Sequence, residues 1–307
     1  MIIFSGGTGT PKLLNGLRRT IPEQEITVVV NTAEDLWVSG NLVTPDIDTV
    51  LYLFSDRIDL KKWWGIQDDT YRTHEVMKAL EHKERMMLGD LDRATHIMRS
   101  DYLRNGHTLS EAIVKLSESM GIKARILPMS DDPVSTTIVT PAGRMHFQDF
   151  WISERGEPEV LEVFQEGIAC ASISSEVLQA LESDDEVLIG PSNPITSIGP
   201  IIAIPGMMDI LKKKKVIAVS PIIGNEPVSG PAGKLMSARG LDVSSAGVAA
   251  FYREFLDTFI IDEKDTTQDA AFEDTGCKVV RANTMMRSVD VSVVLSELIL
   301  REFDAMR

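Results

Sequence analysis

Cysteine is nearly absent: Cys170 and Cys277 are the only two in 307 residues. With no C-x-x-C pair and no zinc spacing, a disulfide scaffold and a zinc cluster are excluded, and both side chains are expected as buried thiols in a reducing compartment. Long apolar runs are missing too. None approaches the ~18 residues that suggest a membrane span, and the chain opens as a strand without a basic leader, so a cytoplasmic protein with no membrane association is expected. Positive charge is scarce, 31 Lys and Arg against 46 Asp and Glu, for a net charge of -15. Diffuse attraction to nucleic acid is thereby disfavoured, and an anionic substrate would need local help from backbone N–H groups, a few placed cations or a carboxylate-held metal. Catalytic signatures are also wanting: there is no H-E-x-x-H, no G-x-S-x-G and no kinase set. Of five histidines, His96 and His107 fall in or beside helical patterns and are expected as packing or surface groups.

What is present begins at Ser5-Gly6-Gly7-Thr8-Gly9-Thr10-Pro11-Lys12, between an apolar run and an amphipathic one. A buried strand ends, the backbone turns, and a helix starts with Pro11 in its first turn, where the missing N–H costs nothing. Gly7, Thr8 and Gly9 are candidates to cradle a phosphate on backbone N–H groups. The spacing fits neither G-x-G-x-x-G, which would need glycine at Lys12, nor a Walker A loop, which would need Gly-Lys at Lys12-Leu13. A plain tight turn therefore remains open as an explanation.

Glu25 to Asn31 reads as a second buried strand ending in Asn31-Thr32-Ala33-Glu34-Asp35. Pro45-Asp46-Ile47-Asp48 opens the next helix. Its carboxylates suit the helix dipole, and a D-x-D pair also suits Mg²⁺ when phosphate supplies further ligands; with Glu34 and Asp35 nearby, the metal reading is favoured. Residues 61–122 read as mainly helical (Thr70 to His82, Leu91 to Arg104, Leu109 to Met120), interrupted by Trp63-Trp64-Gly65 and Met86-Met87-Leu88-Gly89. Those two segments suit either a planar ring ligand or helix packing. Residues 124–173 hold a strand at Ala124 to Leu127 and a β-hairpin, Thr136 to Thr140 with Met145 to Trp151. Further strands at Glu186, Lys215, Thr258 and Lys278, and helices from Ser174, Ser244 and Val289, restore the β-then-α rhythm. The strands at Glu186 and Lys215 end in loops rich in Gly, Ser, Asn and Pro, which gather along one edge of such a sheet. Ser229-Gly230-Pro231-Ala232-Gly233-Lys234 adds another glycine turn with a lysine able to meet phosphate. The expected fold is therefore α/β: one domain over 1–307, a doubly wound, mostly parallel Rossmann-like sheet with a helical insertion and a small β-hairpin insertion.

Taken in order, Gly6-Gly7-Thr8-Gly9, Asn31-Thr32-Ala33-Glu34-Asp35, Pro45-Asp46-Ile47-Asp48-Thr49, Trp64-Gly65, Leu88-Gly89-Asp90-Leu91-Asp92 with Thr95-His96, Gly190-Pro191-Ser192-Asn193-Pro194 and Ser220-Pro221-Ile222-Ile223 resemble the 2-phospho-L-lactate transferase family along nearly the whole chain. The resemblance implies transfer of a phospholactyl group from lactyl-2-diphospho-5'-guanosine, a guanine diphosphate ester, to the ribityl hydroxyl of the deazaflavin precursor Fo. GMP is released and Mg²⁺ is required, in the making of coenzyme F-420. A homodimer is expected. Carried onto this chain, it makes Asp46 and Asp48 catalytic, with Asp48 orienting or accepting the alcohol proton, and Asp35, Asp46 and Asp48 the metal ligands. Asn31, Ser192 and Asn193 join the glycine loop in binding, Ser192 and Asn193 on the guanosine side, and Trp37, Trp64, Met87 and Leu88 line a ring slot. The competing resemblance is to the gluconeogenesis factor family, nucleotide-sugar-binding regulators that share the Gly-Gly-Thr-Gly start.

Overall fold

The computed structural model describes residues 1–223, 226–227 and 230–307. The strands of its central sheet are β1 (Ile2–Ser5), β2 (Thr27–Val30), β3 (Arg125–Pro128), β4 (Glu186–Ile189), β5 (Lys215–Val219), β6 (Thr258–Asp262) and β7 (Lys278–Ala282), in the order β7-β6-β5-β4-β1-β2-β3. All pair in parallel, with Ile3 opposite Val28 on one side and Leu188 on the other. The apolar runs make this possible, because both faces are covered. Ile2, Phe4, Val187 and Ile189 enter one apolar cluster, while Ile3 and Leu188 enter the cluster on the opposite face.

The first helix, α1 (Gly9–Leu17), packs with the closing helix Val289–Ala305 through Leu13, Leu14, Leu17, Leu295 and Ile299. Between β2 and β3 come α2 (Pro45–Phe54), α3 (Arg72–Ala79), α4 (Asp90–Arg104) and α5 (Leu109–Ser119). The last starts with a complete capping box, the Thr108 hydroxyl accepting from Glu111 N while Glu111 accepts from Thr108 N. The expected doubly wound α/β fold is thus what the chain adopts. Among the described residues, no helix is long and apolar enough to cross a membrane.

Two local expectations fail, and two strand pairings appear that the sequence did not announce. The hairpin's second strand stops at His146, and Asp149–Ser153 winds into a helical turn. Phe147 and Phe150 are buried while Trp151 and Ile152 are exposed, a three-residue spacing that belongs to a helix rather than a strand. A third strand, Glu162–Glu166, completes this antiparallel sheet. Leu36–Val38 and Asn41–Val43 form a further hairpin, turning on Ser39 and Gly40, both with positive φ as a two-residue turn requires. Finally, Cys170 is exposed and Cys277 only half-buried, because Cys170 ends a short turn outside the sheet core and Cys277 sits at the mouth of edge strand β7.

Candidate active site

The strand order reverses between β1 and β4, so the loops leaving their carboxyl ends diverge and open a crevice there. The two loops interlock at its floor. Ser192 Oγ donates to the Gly6 carbonyl and lies 2.6 Å from Thr10 Oγ1. Gly9 passes so close that a Cβ would stand 1.9 Å from the Pro191 carbonyl oxygen, and Gly7 turns the chain at φ +55°. Around this floor lies a cleft of about 920 Å³, lined by Gly7, Thr8, Gly9, Lys12, Glu34, Asp46, Asp48, Trp63, Trp64, Met87, Leu88, Asp92, His96, Ser192 and Asn193, among others. That volume is at the upper end of the ~300–1,000 Å³ usual for small-molecule sites.

Asp46 and Asp48 leave the first turn of α2 in different directions, as residues two apart on a helix must. Asp46 turns to the glycine loop, accepting from Gly7 N at 2.7 Å and from Asn31 Nδ2 at 2.9 Å. Burial raises its carboxyl to about 6, against the pull of those two donors. Asp48 turns to α4. Arg99, fully buried, grips it with both terminal nitrogens, and His96 Nε2 lies 3.1 Å from its Oδ2. Burial works against the Asp48 charge, but the Arg99 guanidinium and His96 outweigh it and hold the carboxyl below its ordinary value.

His96 also reaches Asp92 Oδ1 at 3.1 Å, and the Tyr52 hydroxyl donates to that same oxygen at 2.6 Å. Although burial opposes its charge, hydrogen bonds to Asp48 and Asp92 raise His96 to about 9, so it is an imidazolium at neutral pH. Asp48, Asp92 and His96 bring ligand atoms within 4.8 Å of one another, a triad that could hold a metal. At present two acids there face two cations, His96 and Arg99. Glu34 and Asp35 are compensated far less. Burial pushes both carboxyls well above their usual range, Asp46 adding to the effect in each case; Arg99 draws Asp35 partly back.

The cleft gathers most of the residues singled out in the sequence, but not three of them. Trp37 is exposed on the Leu36–Val38 strand and does not line the cleft. Asn31 is fully buried and acts through Asp46. Asp35 lies off the cleft, its Oδ1 enclosed without a hydrogen-bond partner. Asn193 lines the cleft, yet its side-chain oxygen caps the turn Pro194–Ile198 through Ile195 N. Lys234 does not meet a phosphate; its ammonium is held by the carbonyls of Gly156 and Glu157. Of its loop, Ser229 lies outside the described residues, as does Gly224 after β5.

Two contributors escaped the sequence reading, and a third, Trp63, was read only as part of a segment for ring binding or helix packing. His96 is neither a packing nor a surface group, and its spacing from Asp92, one helical turn, was the available signal. Arg99, one turn from the Thr95–His96 pair, gave none. Trp63 adopts φ +62°, a conformation costing a bulky residue about 1–3 kcal/mol, and the Lys12 ammonium lies 5.8 Å from the centre of its ring.

Comparison with known proteins follows the same outline. The chain matches the family described as 2-phospho-L-lactate transferase CofD over residues 1–299. It is 66% identical to the 2-phospho-L-lactate transferase of Methanococcoides burtonii over 99% of each chain, and 45% identical to that of Methanocaldococcus jannaschii over 97% of this chain and 96% of the relative. A crystal structure of a UPF0052 family member from Bacillus halodurans superposes with a TM-score of 0.68 at 16% identity, over 97% of both chains, a likeness of fold alone.

Proposed function

The chain belongs to the 2-phospho-L-lactate transferase family, and from that premise we propose that it joins the phospholactyl group of lactyl-2-diphospho-5'-guanosine to the primary ribityl alcohol of Fo, releasing GMP, as a step in forming coenzyme F-420. The observation that carries this reading is the convergence of glycine loop, carboxylates and aromatic–methionine segment on one cleft large enough for two small molecules. Gly7, Thr8 and Gly9 receive the diphosphate. Trp64, Met87 and Leu88 form the slot for the tricyclic ring. Asp48, fixed by Arg99 and His96, accepts a hydrogen bond from the alcohol and takes its proton as the new O–P bond completes and the bond to the GMP oxygen breaks. A carboxyl with a lowered pKa is a weak base, but phosphoryl transfer asks mainly for positioning and charge neutralisation.

For Mg²⁺, of the three ligands expected, Asp35, Asp46 and Asp48, the geometry favours keeping Asp46 and adding Glu34. Asp48 is already matched by Arg99 and His96, and Asp35 lies off the cleft, whereas Asp46 and Glu34 face the cleft as buried carboxylates lacking a cation. Hard oxygen donors of this kind, one or two with phosphate, are the usual Mg²⁺ set. We assign Asp46 and Glu34 as its ligands. When bound, the ion would neutralise charge developing on the diphosphate.

The test uses the fluorescence of Fo itself together with GMP release. GMP is expected only when donor, Fo and Mg²⁺ are all supplied, and chelation should abolish it. Tight binding of a nucleotide sugar, with neither Fo binding nor GMP, would instead make the protein a regulator of the gluconeogenesis factor kind.

A further inference from the structure

We propose that Lys12 is a substrate-contact residue of this cleft: its ammonium, carried on the face of Trp63, takes an oxyanion of the donor, a diphosphate oxygen or the lactyl carboxylate. The inference rests on the reading above and adds to it a residue that neither the spacing of the glycine loop nor the carboxylates pointed to.

Lys12 leaves the first turn of α1, directly behind the loop, and lines the cleft together with Gly7, Gly9 and Trp63. It is half-buried, and that burial lowers its pKa. Among the described residues no carboxylate lies within 4.0 Å of its nitrogen and no acceptor hydrogen-bonds it, although acids outnumber bases along the chain. Several other lysines are matched, whereas Lys61, also at the cleft and also without a partner among the described residues, is exposed to solvent. Lys62 has Asp59 at 3.3 Å, Lys214 has Asp185 at 2.8 Å, and Lys234 has two carbonyls. A partly desolvated ammonium without a counter-charge is an unfinished interaction, and an entering anion completes it.

Trp63 supplies the second observation. The indole packs against the apolar cluster beneath α1 and α2, and the Trp63 backbone N–H donates to the Asp59 carbonyl at 2.7 Å, which helps keep the backbone left-handed. Strain held in this way at a cleft residue points to a task beyond packing. Its visible effect is to set the ring 5.8 Å from the Lys12 nitrogen, within range for a cation–aromatic contact that holds a flexible side chain in place. An ammonium so held stays available to oxygen on its other side.

The experiment is calorimetric titration of GDP, 2-phospho-L-lactate and guanosine into the wild-type protein, Lys12→Met, Lys12→Gln and Lys12→Arg, with melting temperatures confirming that each variant folds. Both neutral variants should weaken at least one of the two anions by on the order of 10- to 100-fold, the size of a charge-assisted hydrogen bond. Guanosine affinity should hold, and Lys12→Arg should keep most of the anion affinity. A loss for GDP identifies the diphosphate as the group held; a loss confined to 2-phospho-L-lactate that inorganic phosphate does not reproduce identifies the carboxylate. Unchanged affinity for both anions in folded Lys12→Met overturns the proposal. Because binding is read without turnover, wild-type protein that holds these anions through Lys12 yet makes no GMP with Fo would sink the transferase reading alone.

Discussion

Asp46 and Asp48 stand two apart in the chain and have opposite environments, so their conservative variants should fail differently. Asp46→Asn keeps the shape but turns one of two acceptor oxygens into a donor facing Gly7 N–H or the Asn31 amide, so the variant should fold with a moderate loss of stability, about 1–3 kcal/mol. By weakening the hold on Mg²⁺ assigned to this carboxylate, it should lower turnover on the order of 10²-fold or more. Mg²⁺ should raise the melting temperature of the wild type and not of this variant; an equal rise in both would remove Asp46 from the ligand set. Asp48→Asn leaves Arg99 buried against an uncharged partner. Loss of one partner of a buried ion pair costs about 3–5 kcal/mol, so urea denaturation should show a large stability deficit besides lost activity. The sequence displayed both acids and the helix they open, but not the partners that draw them apart, Gly7 and Asn31 for Asp46 and Arg99 and His96 for Asp48.

Among elements, the segment between α2 and α4 is held to the Leu36–Val43 hairpin by one acid. Glu84, its side chain out of contact with solvent, accepts from Ser39, His74 and Arg93. Burial opposes its charge, but Arg93, Ser39 and His74 hold the carboxyl down to about 2 against an ordinary 4.5. A depressed folded pKa stabilises above the unfolded value and is lost as pH falls through the folded one. Acid titration should therefore show wild type and Glu84→Gln furthest apart in melting temperature above pH ~4.5, converging towards pH ~2. A constant gap across that window would refute the clasp. None of this was legible, since Ser39, His74, Glu84 and Arg93 are scattered over a stretch whose only sequence signal was helical periodicity. The clean readings were those where one period dominates, as in the β-branched run of β2 and the capped, amphipathic α5. The helical turn at Asp149–Ser153 failed for want of such a signal, its two buried phenylalanines being too few to declare a period.

At the scale of the molecule, one sheet with an apolar cluster on each face runs from Ile2 to Ala282. Tryptophan fluorescence and far-ultraviolet circular dichroism are expected to report a single coincident unfolding transition; two separated transitions would mean that residues 61–122 fold as a unit of their own. The alternation of strands and helices made the architecture readable in advance, and with it the edge on which loops would collect. Which loops touch was not readable. That depends on the strand order, and the order is fixed by packing across stretches of chain that share no local pattern.

The seam between Gly9 and Pro191 has a consequence for the chain during its synthesis. The phosphate cradle proposed for this loop needs a wall from each side of the switch point, and the second is encoded far downstream of the first. A nascent polypeptide still waiting for Pro191 and Ser192 holds a bare glycine turn, so nucleotide cannot assist the early stages of its folding. Ligand added to truncated chains should start to retard proteolysis only once the fourth strand of the sheet and the loop behind it are included.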